Sequence, residues 1–329
     1  MNLTRRHVLT GAAGLTAAPL LPAISADAAA PMAEKQAPSF YRYKVGDAQV
    51  TVISDGVNTF PLGDSFVLNA KKDDVAAALE KAYMPKDKVS IQFGPLVVNT
   101  GGKLVVVDTG NGPGAFASSK GNVGQLATNL AAAGIDAKSV DLVVISHFHG
   151  DHINGLLTAD NVLAFPNAEV LVPSVEWKYF MDDGEMGKQT SERMKGVFAN
   201  ARRVFDAGLK KKVTPYEWGK DVAPGILAVE TAGHTPGHTS YVISSGSGKV
   251  FVQSDVTNIP YLFAANPGWH AFFDQDPAMA EAARRKTYDM LVADKLMVQG
   301  FHYPFPGLGN VEKDGSGYRV IPAPWNPVI

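Results

Sequence analysis

Three histidines and an aspartate fall within six residues, His147-Phe148-His149-Gly150-Asp151-His152, directly after the apolar run Val140–Ile145, which is interrupted only at Asp141. A short apolar run bounded by polar residues predicts a strand buried on both faces. In an extended chain, alternation sends His147 and His149 to the same side. A turn at Gly150 then brings Asp151 and His152 round to the same cavity, at the loop end of a rigid strand, where catalytic groups usually sit. Isolated histidines near a turn are ordinary surface residues. An H-x-H-x-D-H spacing after a buried strand is metal-ligand spacing, and imidazole with carboxylate suits Zn, Fe, Mn or Co. The 329 residues include no cysteine. Disulfides, thiolate ligands and cysteine nucleophiles are therefore excluded, and any metal is held by histidine and carboxylate.

The rest of the chain alternates strand and helix signals. Tyr41–Val45 and Gln49–Ile53 flank the turn Gly46-Asp47, and Leu96–Thr100 and Lys103–Val107 flank Gly101-Gly102, so each pair predicts a hairpin. Helical spacing covers Asp73–Tyr83 and Val123–Ala133, the latter closed by Gly134. Further strands are expected at Glu169–Val172, Leu227–Glu230, Thr239–Ile243, Val250–Gln253, Leu296–Gln299 and Tyr318–Ile321. Further helices are expected at Ser174–Met181, Glu192–Ala201 and Pro277–Asp294. Strand clusters followed by helices, twice over, predict an α/β protein of two packed β-sheets with helices outside. No short repeat or linker divides residues 39–329, which are read as one domain.

The first 28 residues read as an export signal. Thr4-Arg5-Arg6 precedes an apolar, small-residue run from Thr10 to Ile24 and the A-x-A sequence Ala26-Asp27-Ala28. The paired arginines favour twin-arginine export over an ordinary secretory signal that happens to carry two arginines, and either route gives a periplasmic or secreted protein. Residues 29–38 form a flexible lead-in. No later stretch reaches the roughly 18 apolar residues that a membrane span needs. The formal net charge of −2 argues against nucleic acid as a partner. Lys210-Lys211-Lys212 reads as a solvated turn. A homodimer that buries exposed aromatics is compatible with the composition.

The segment His147–His152 resembles the H-x-H-x-D-H signature of the metallo-β-lactamase superfamily. Asp108-Thr109-Gly110, Gly233-His234-Thr235-Pro236-Gly237-His238, Ser254-Asp255 and Gly300-Phe301-His302 resemble that family's other motifs in the same order. The resemblance implies an αββα sandwich, two mixed β-sheets flanked by helices, with the site at one edge. It also implies that His147, His149 and His234 hold one metal, and Asp151, His152 and His302 a second. Asp255 and a water or hydroxide would bridge them. Zinc is the default ion, with Mn, Co or Fe accepted by the same ligands. Asp108 would steady a ligand imidazole. His238 reads as a supporting or core histidine, and His270 as a pocket or surface residue.

Two ions sharing a water make a hydroxide available at neutral pH, and Asp151 or Asp255 could take up the proton after its attack. Within the superfamily, the absence of Cys and the presence of Asp255 disfavour β-lactam hydrolysis. The short tail after His302 disfavours a glutathione thioesterase. A single-iron sulfur or redox enzyme would need fewer ligands, and a non-catalytic binding protein on this fold would be expected to lack some. Val97–Gly101, Leu163–Ala168, Gly233–Tyr241, His302–Gly307 and Gly317–Arg319 are most similar to the exported methyl parathion hydrolases and the related quorum-quenching lactonases. That resemblance implies neutral, apolar substrates: lactones and carboxylic esters first, then phosphotriesters. Aromatic residues would line the pocket, and the candidates are Phe116, Trp177, Phe180, Phe198, Trp269, Phe272 and Phe273.

Overall fold

The computed structural model describes residues 32, 36–206, 208–209 and 212–329. The export signal proposed for residues 1–28, most of the lead-in, and Lys210 and Lys211 lie outside the described residues. Sixteen strands are described: β1 (Phe40–Val45), β2 (Ala48–Ile53), β3 (Gly56–Pro61), β4 (Lys88–Phe93), β5 (Leu96–Thr100), β6 (Lys103–Val107), β7 (Leu142–Val144), β8 (Glu169–Pro173), β9 (Val213–Tyr216), β10 (Asp221–Ala223), β11 (Ile226–Glu230), β12 (Thr239–Ser245), β13 (Gly248–Ser254), β14 (Met297–Gly300), β15 (Leu308–Asp314) and β16 (Gly317–Pro322). The helices are α1 (Lys72–Lys81), α2 (Gly112–Ser118), α3 (Leu126–Ala132), α4 (Gly150–Ile153), α5 (Ser174–Met181), α6 (Asp183–Gly187), α7 (Glu192–Asp206) and α8 (Pro277–Asp294).

The strands form two seven-stranded mixed sheets, ordered β1-β2-β5-β6-β7-β8-β9 and β10-β11-β12-β13-β14-β15-β16. Period-two alternation sorts their side chains into layers. Leu96, Val98, Val105 and Val107 of the first sheet meet Tyr241, Ile243, Val250 and Val252 of the second in one core between the sheets. Their neighbours Val97 and Val106 point the other way, into a core shared with α3, α5 and α7. Phe251 likewise points outward, to Tyr288 and Leu291 of α8. The result is helix, sheet, sheet, helix.

Two elements differ from expectation for identifiable reasons. The helix expected from Val123 begins only at Leu126, because the buried Asp55 carboxylate accepts from Leu126 N at 2.8 Å and from Asn111 N at 2.7 Å. Val123 is thereby left to bridge with Gly56. The β3–β4 hairpin had no local signal, since its strands are separated by α1 and pair Gly56 with Phe93. With α1 and the π-type turn Pro260–Ala264, this hairpin builds a third apolar cluster that includes Phe301. No helix among the described residues is long and apolar enough to cross a membrane.

Candidate metal centre

Strand ends deliver most of the histidines and aspartates of the site. Asp108 follows β6, His147–His152 follow β7, Asp255 follows β13 and His302 follows β14, while His234 lies in the connection from β11 to β12. Asp108 and Ser254 hold φ of +60° and +50°, a left-handed backbone that costs about 1–3 kcal/mol for residues other than glycine. Both lie at strand ends beside the cluster, where the backbone must turn sharply to aim a side chain. Gly150 opens the four-residue helix α4, which carries Asp151 and His152 back towards His147.

Two groups of three residues result. His149 Nδ1 lies 3.1 Å from His147 Nε2 and 2.9 Å from His234 Nε2. Asp151 Oδ2 lies 3.5 Å from both His152 Nε2 and His302 Nε2. Asp255 stands between the groups. Its Oδ2 is 3.3 Å from His234 Nε2 and 3.0 Å from His302 Nε2, and its Oδ1 is 3.3 Å from His152 Nε2. Around a tetrahedral ion with metal–nitrogen distances near 2.0 Å, ligand atoms sit about 3.3 Å apart.

The chemistry of the cluster also fits a cation. His152 Nε2 and Asp255 Oδ1, both turned into the cluster, are buried without a hydrogen-bond partner, which a stable interior avoids. Burial, together with the fields of neighbouring imidazoles, holds His147 and His149 well below the usual histidine range, so both offer lone pairs. Burial opposes charge on His152, but Asp151, Asp108 and Asp255 outweigh it and push its pKa well above normal. Burial likewise opposes ionisation of Asp151, yet His152 and His302 bring its pKa down to about 2. Five imidazoles and two carboxylates without a thiolate are a donor set for divalent zinc, manganese, cobalt or iron.

His152, His302 and His234 are held from behind. His152 Nδ1 donates to Asp108 Oδ2 at 2.8 Å, and Asp108 also accepts from Ser146 N and Ser146 Oγ. His302 Nδ1 donates to Gln92 O at 2.7 Å. His238 is no member of either group. Burial lowers its pKa to about 3, so it is neutral, and its Nε2 accepts from Asp255 N at 2.9 Å. Its Nδ1 faces Thr231 O. His270 lies apart and pairs with Glu281 at 3.0 Å.

The aromatic candidates divide. Phe272 and Phe273 line the pocket over the ligand cluster, a volume of about 270 Å³ completed by Ile91, Phe93, Arg193 and Asn258. Phe180 and Phe198 do not line it. Both are fully buried in the core beneath the first sheet, and Trp177 packs against the same core. Helical spacing placed them on α5 and α7 but carried no sign of which face turned inward. Trp269 packs on the cluster around Phe66, and Phe116 is exposed on α2 beside Gly121.

Three supporting residues carried no signal in the sequence. Glu176 is fully buried and accepts from Phe148 N at 2.9 Å, Thr235 Oγ1 at 2.9 Å and Gly237 N at 2.7 Å. It ties the loop of His147 and His149 to the loop of His234. Gly237 is required there, because a Cβ would lie 2.3 Å from Glu176 N. Asp274 accepts from His234 Nδ1 at 2.8 Å, and its other oxygen meets the buried Arg284 at 3.3 Å. Arg284 is fixed in turn by three backbone carbonyls.

Known proteins resemble this chain in sequence and fold. The sequence profile of the metallo-β-lactamase superfamily matches residues 96–288. An N-acyl homoserine lactonase from Bacillus sp. is 26% identical over 162 residues, which are 49% of this chain and 56% of the relative. The chain thus spans just over half the length of that curated relative. Among solved structures, the dizinc quorum-quenching lactonase AidC, in complex with a product, superposes with a TM-score of 0.80 at 25% identity, over 87% of this chain and 98% of AidC. The hydrolase AbOPH of the β-lactamase superfamily gives a TM-score of 0.80 at 28% identity, over 89% of this chain and all of AbOPH.

Proposed function

Because the chain belongs to the metallo-β-lactamase superfamily, we propose that it is a dinuclear metal-dependent hydrolase that opens lactones and cleaves carboxylic esters, with phosphotriesters as further substrates. The observation that carries this reading is Asp255, whose two oxygens reach both three-residue groups at 3.0–3.3 Å. His147, His149 and His234 would hold one ion, and Asp151, His152 and His302 the other, most simply zinc, with Asp255 between them. Bound there, two divalent ions supply Lewis acidity and an activated water at neutral pH. The similarity to AidC and to the Bacillus lactonase supports a lactone as the first substrate to try.

The chain's own groups have distinct parts in this reading. Ile91, Phe93, Phe272 and Phe273 exclude water from the pocket and receive the apolar arm of the substrate. Neutral His238 holds the Asp255 backbone in place. Of the two carboxylates, the Asp151 side chain is 23% exposed and that of Asp255 only 4%. Asp151 is therefore the one placed to pass a proton to solvent. We further propose export through residues 1–28, to be read by N-terminal sequencing of the mature protein, and a homodimer, to be read by light scattering.

The test is a metal count on the purified chain with one substrate panel: an acyl homoserine lactone, dihydrocoumarin, an aryl ester, methyl parathion and a β-lactam. Two ions per chain with lactone or ester turnover above the rest is the expected result. One iron, or no metal, with a silent panel overturns the reading.

A further inference from the structure

Arg193 breaks a local rule and has no local reward for it. It sits in the first turn of α7, where the helix dipole disfavours a cation. It lies on the wall shared by the metal pocket and an adjoining cleft of about 340 Å³ that includes Tyr179, Gln189 and Gln275. The carboxylates around it are committed elsewhere. Asp274 is held by His234 and Arg284, Asp276 accepts from Met279 N as the cap of α8, and Glu192 pairs with Lys195. Arg193 has no hydrogen-bond or ion-pair partner among the described residues. Its side chain is exposed at the pocket rim, and Asp274 is the charged group whose field reaches it. A purely apolar substrate would leave the guanidinium on this wall unused.

We propose that Arg193 is a specificity-determining residue that selects substrates carrying a carboxylate on the arm that leads from the scissile carbonyl towards the cleft. The proposal rests on the hydrolase reading above and names its substrate class. A guanidinium recognises a carboxylate through paired, charge-assisted hydrogen bonds. The N-terminus of α7 and the metal ions would add to the same positive field. This departs from the neutral substrates that the sequence resemblance implies.

The experiment compares two chromogenic esters that differ only in charge, 4-nitrophenyl hydrogen adipate and 4-nitrophenyl methyl adipate, on the metal-loaded full chain. The readout is their ratio of kcat/KM, so that any general loss in a variant cancels. The acid is expected to be favoured by about tenfold at low salt, the R193Q variant to bring the ratio near one, and R193K to keep part of the preference. A ratio at or below one in the parent, or a ratio that R193Q leaves unchanged, overturns the proposal. Calorimetry with adipate and hexanoate needs no turnover. Both can meet the metals, but only adipate has a second carboxylate for Arg193. Tighter binding of adipate that disappears in R193Q supports the proposal even if neither ester is cleaved, an outcome that would sink the hydrolase reading alone. Equal binding of the two acids by parent and variant refutes the assignment of Arg193.

Discussion

Replacing Glu176 with glutamine tests how the two loops of the first ligand group are held together. The Glu176 oxygens accept three hydrogen bonds: Oε1 from Phe148 N, and Oε2 from Thr235 Oγ1 and Gly237 N. All three partners donate. A glutamine amide must therefore turn its NH₂ towards at least one of them, at a cost of about 1–3 kcal/mol for a buried donor left unsatisfied. A pH-dependent effect adds to this. Burial raises the Glu176 pKa from 4.5 to about 7, although the three donors pull the other way. Folding thus favours the neutral acid. That preference is complete below pH 4.5 and is lost as pH rises through about 7, a change of about 3 kcal/mol across the window. Glutamine does not titrate. Parent and E176Q should therefore differ most near pH 4.5 to 5, with the gap shrinking by about 3 kcal/mol towards pH 8. Urea unfolding of the chelated protein at pH 5, 6.5 and 8 reads the gap directly, with the m-value checking that the unfolded state is unchanged. A gap that stays flat or widens with pH would falsify the reasoning, because it would mean that the carboxylate is ionised in the fold. Phe148 lies between His147 and His149, so E176Q is also expected to weaken metal retention by about tenfold in a chelator competition.

Asp274→Asn leaves one acceptor oxygen where His234 Nδ1 and Arg284 now have one each, and it leaves Arg284 buried without its counter-charge; a loss of about 3–5 kcal/mol in unfolding free energy is expected, with metal affinity down about 10- to 100-fold. Unchanged stability in urea would show that Arg284 is carried by its three carbonyl partners alone. Phe198→Ala should cost about 3–5 kcal/mol and leave the ranking of substrates intact, whereas Phe273→Ala should alter KM and the ranking. A shifted ranking in F198A would place that ring at the pocket after all. His238, with a folded pKa of about 3 against 6.5, gives stability that is present above pH 6.5 and lost as pH falls towards 3, about 4–5 kcal/mol in all. H238N should flatten that acid limb in unfolding titrations, and an identical limb in parent and variant would assign the acid sensitivity elsewhere.

How much of this site could be read from the chain follows from the distance over which each part acts. His147, His149, Asp151 and His152 were legible together because one strand, one turn and one helical turn bring them together within six residues. His234, Asp255 and His302 became legible only through the order of five motifs, since a lone histidine or aspartate after a strand is common. Glu176 and Asp274 stayed hidden because their partners are 28 to 61 and 40 positions away and they belong to no short motif. The sheets were read well where alternation is local, as in β5 and β6. The β3–β4 pairing was not, because a helix interrupts it. The aromatic residues show the limit of composition: Phe198 and Phe273 look equivalent in the chain, yet one fills the core and the other lines the pocket. Several residues of the site also conflict with local preference, although Tyr83, Lys120, Asn161 and Lys295 adopt left-handed backbone in turns elsewhere. Asp108 and Ser254 adopt left-handed backbone at strand ends, Asp255 Oδ1 is buried without a partner, and Arg193 puts a cation at a helix start. Each is unfavourable by itself, and all are gathered at or beside one pocket. Cations held at Asp255 and an anionic substrate at Arg193 would give both of these groups a partner in the same pocket.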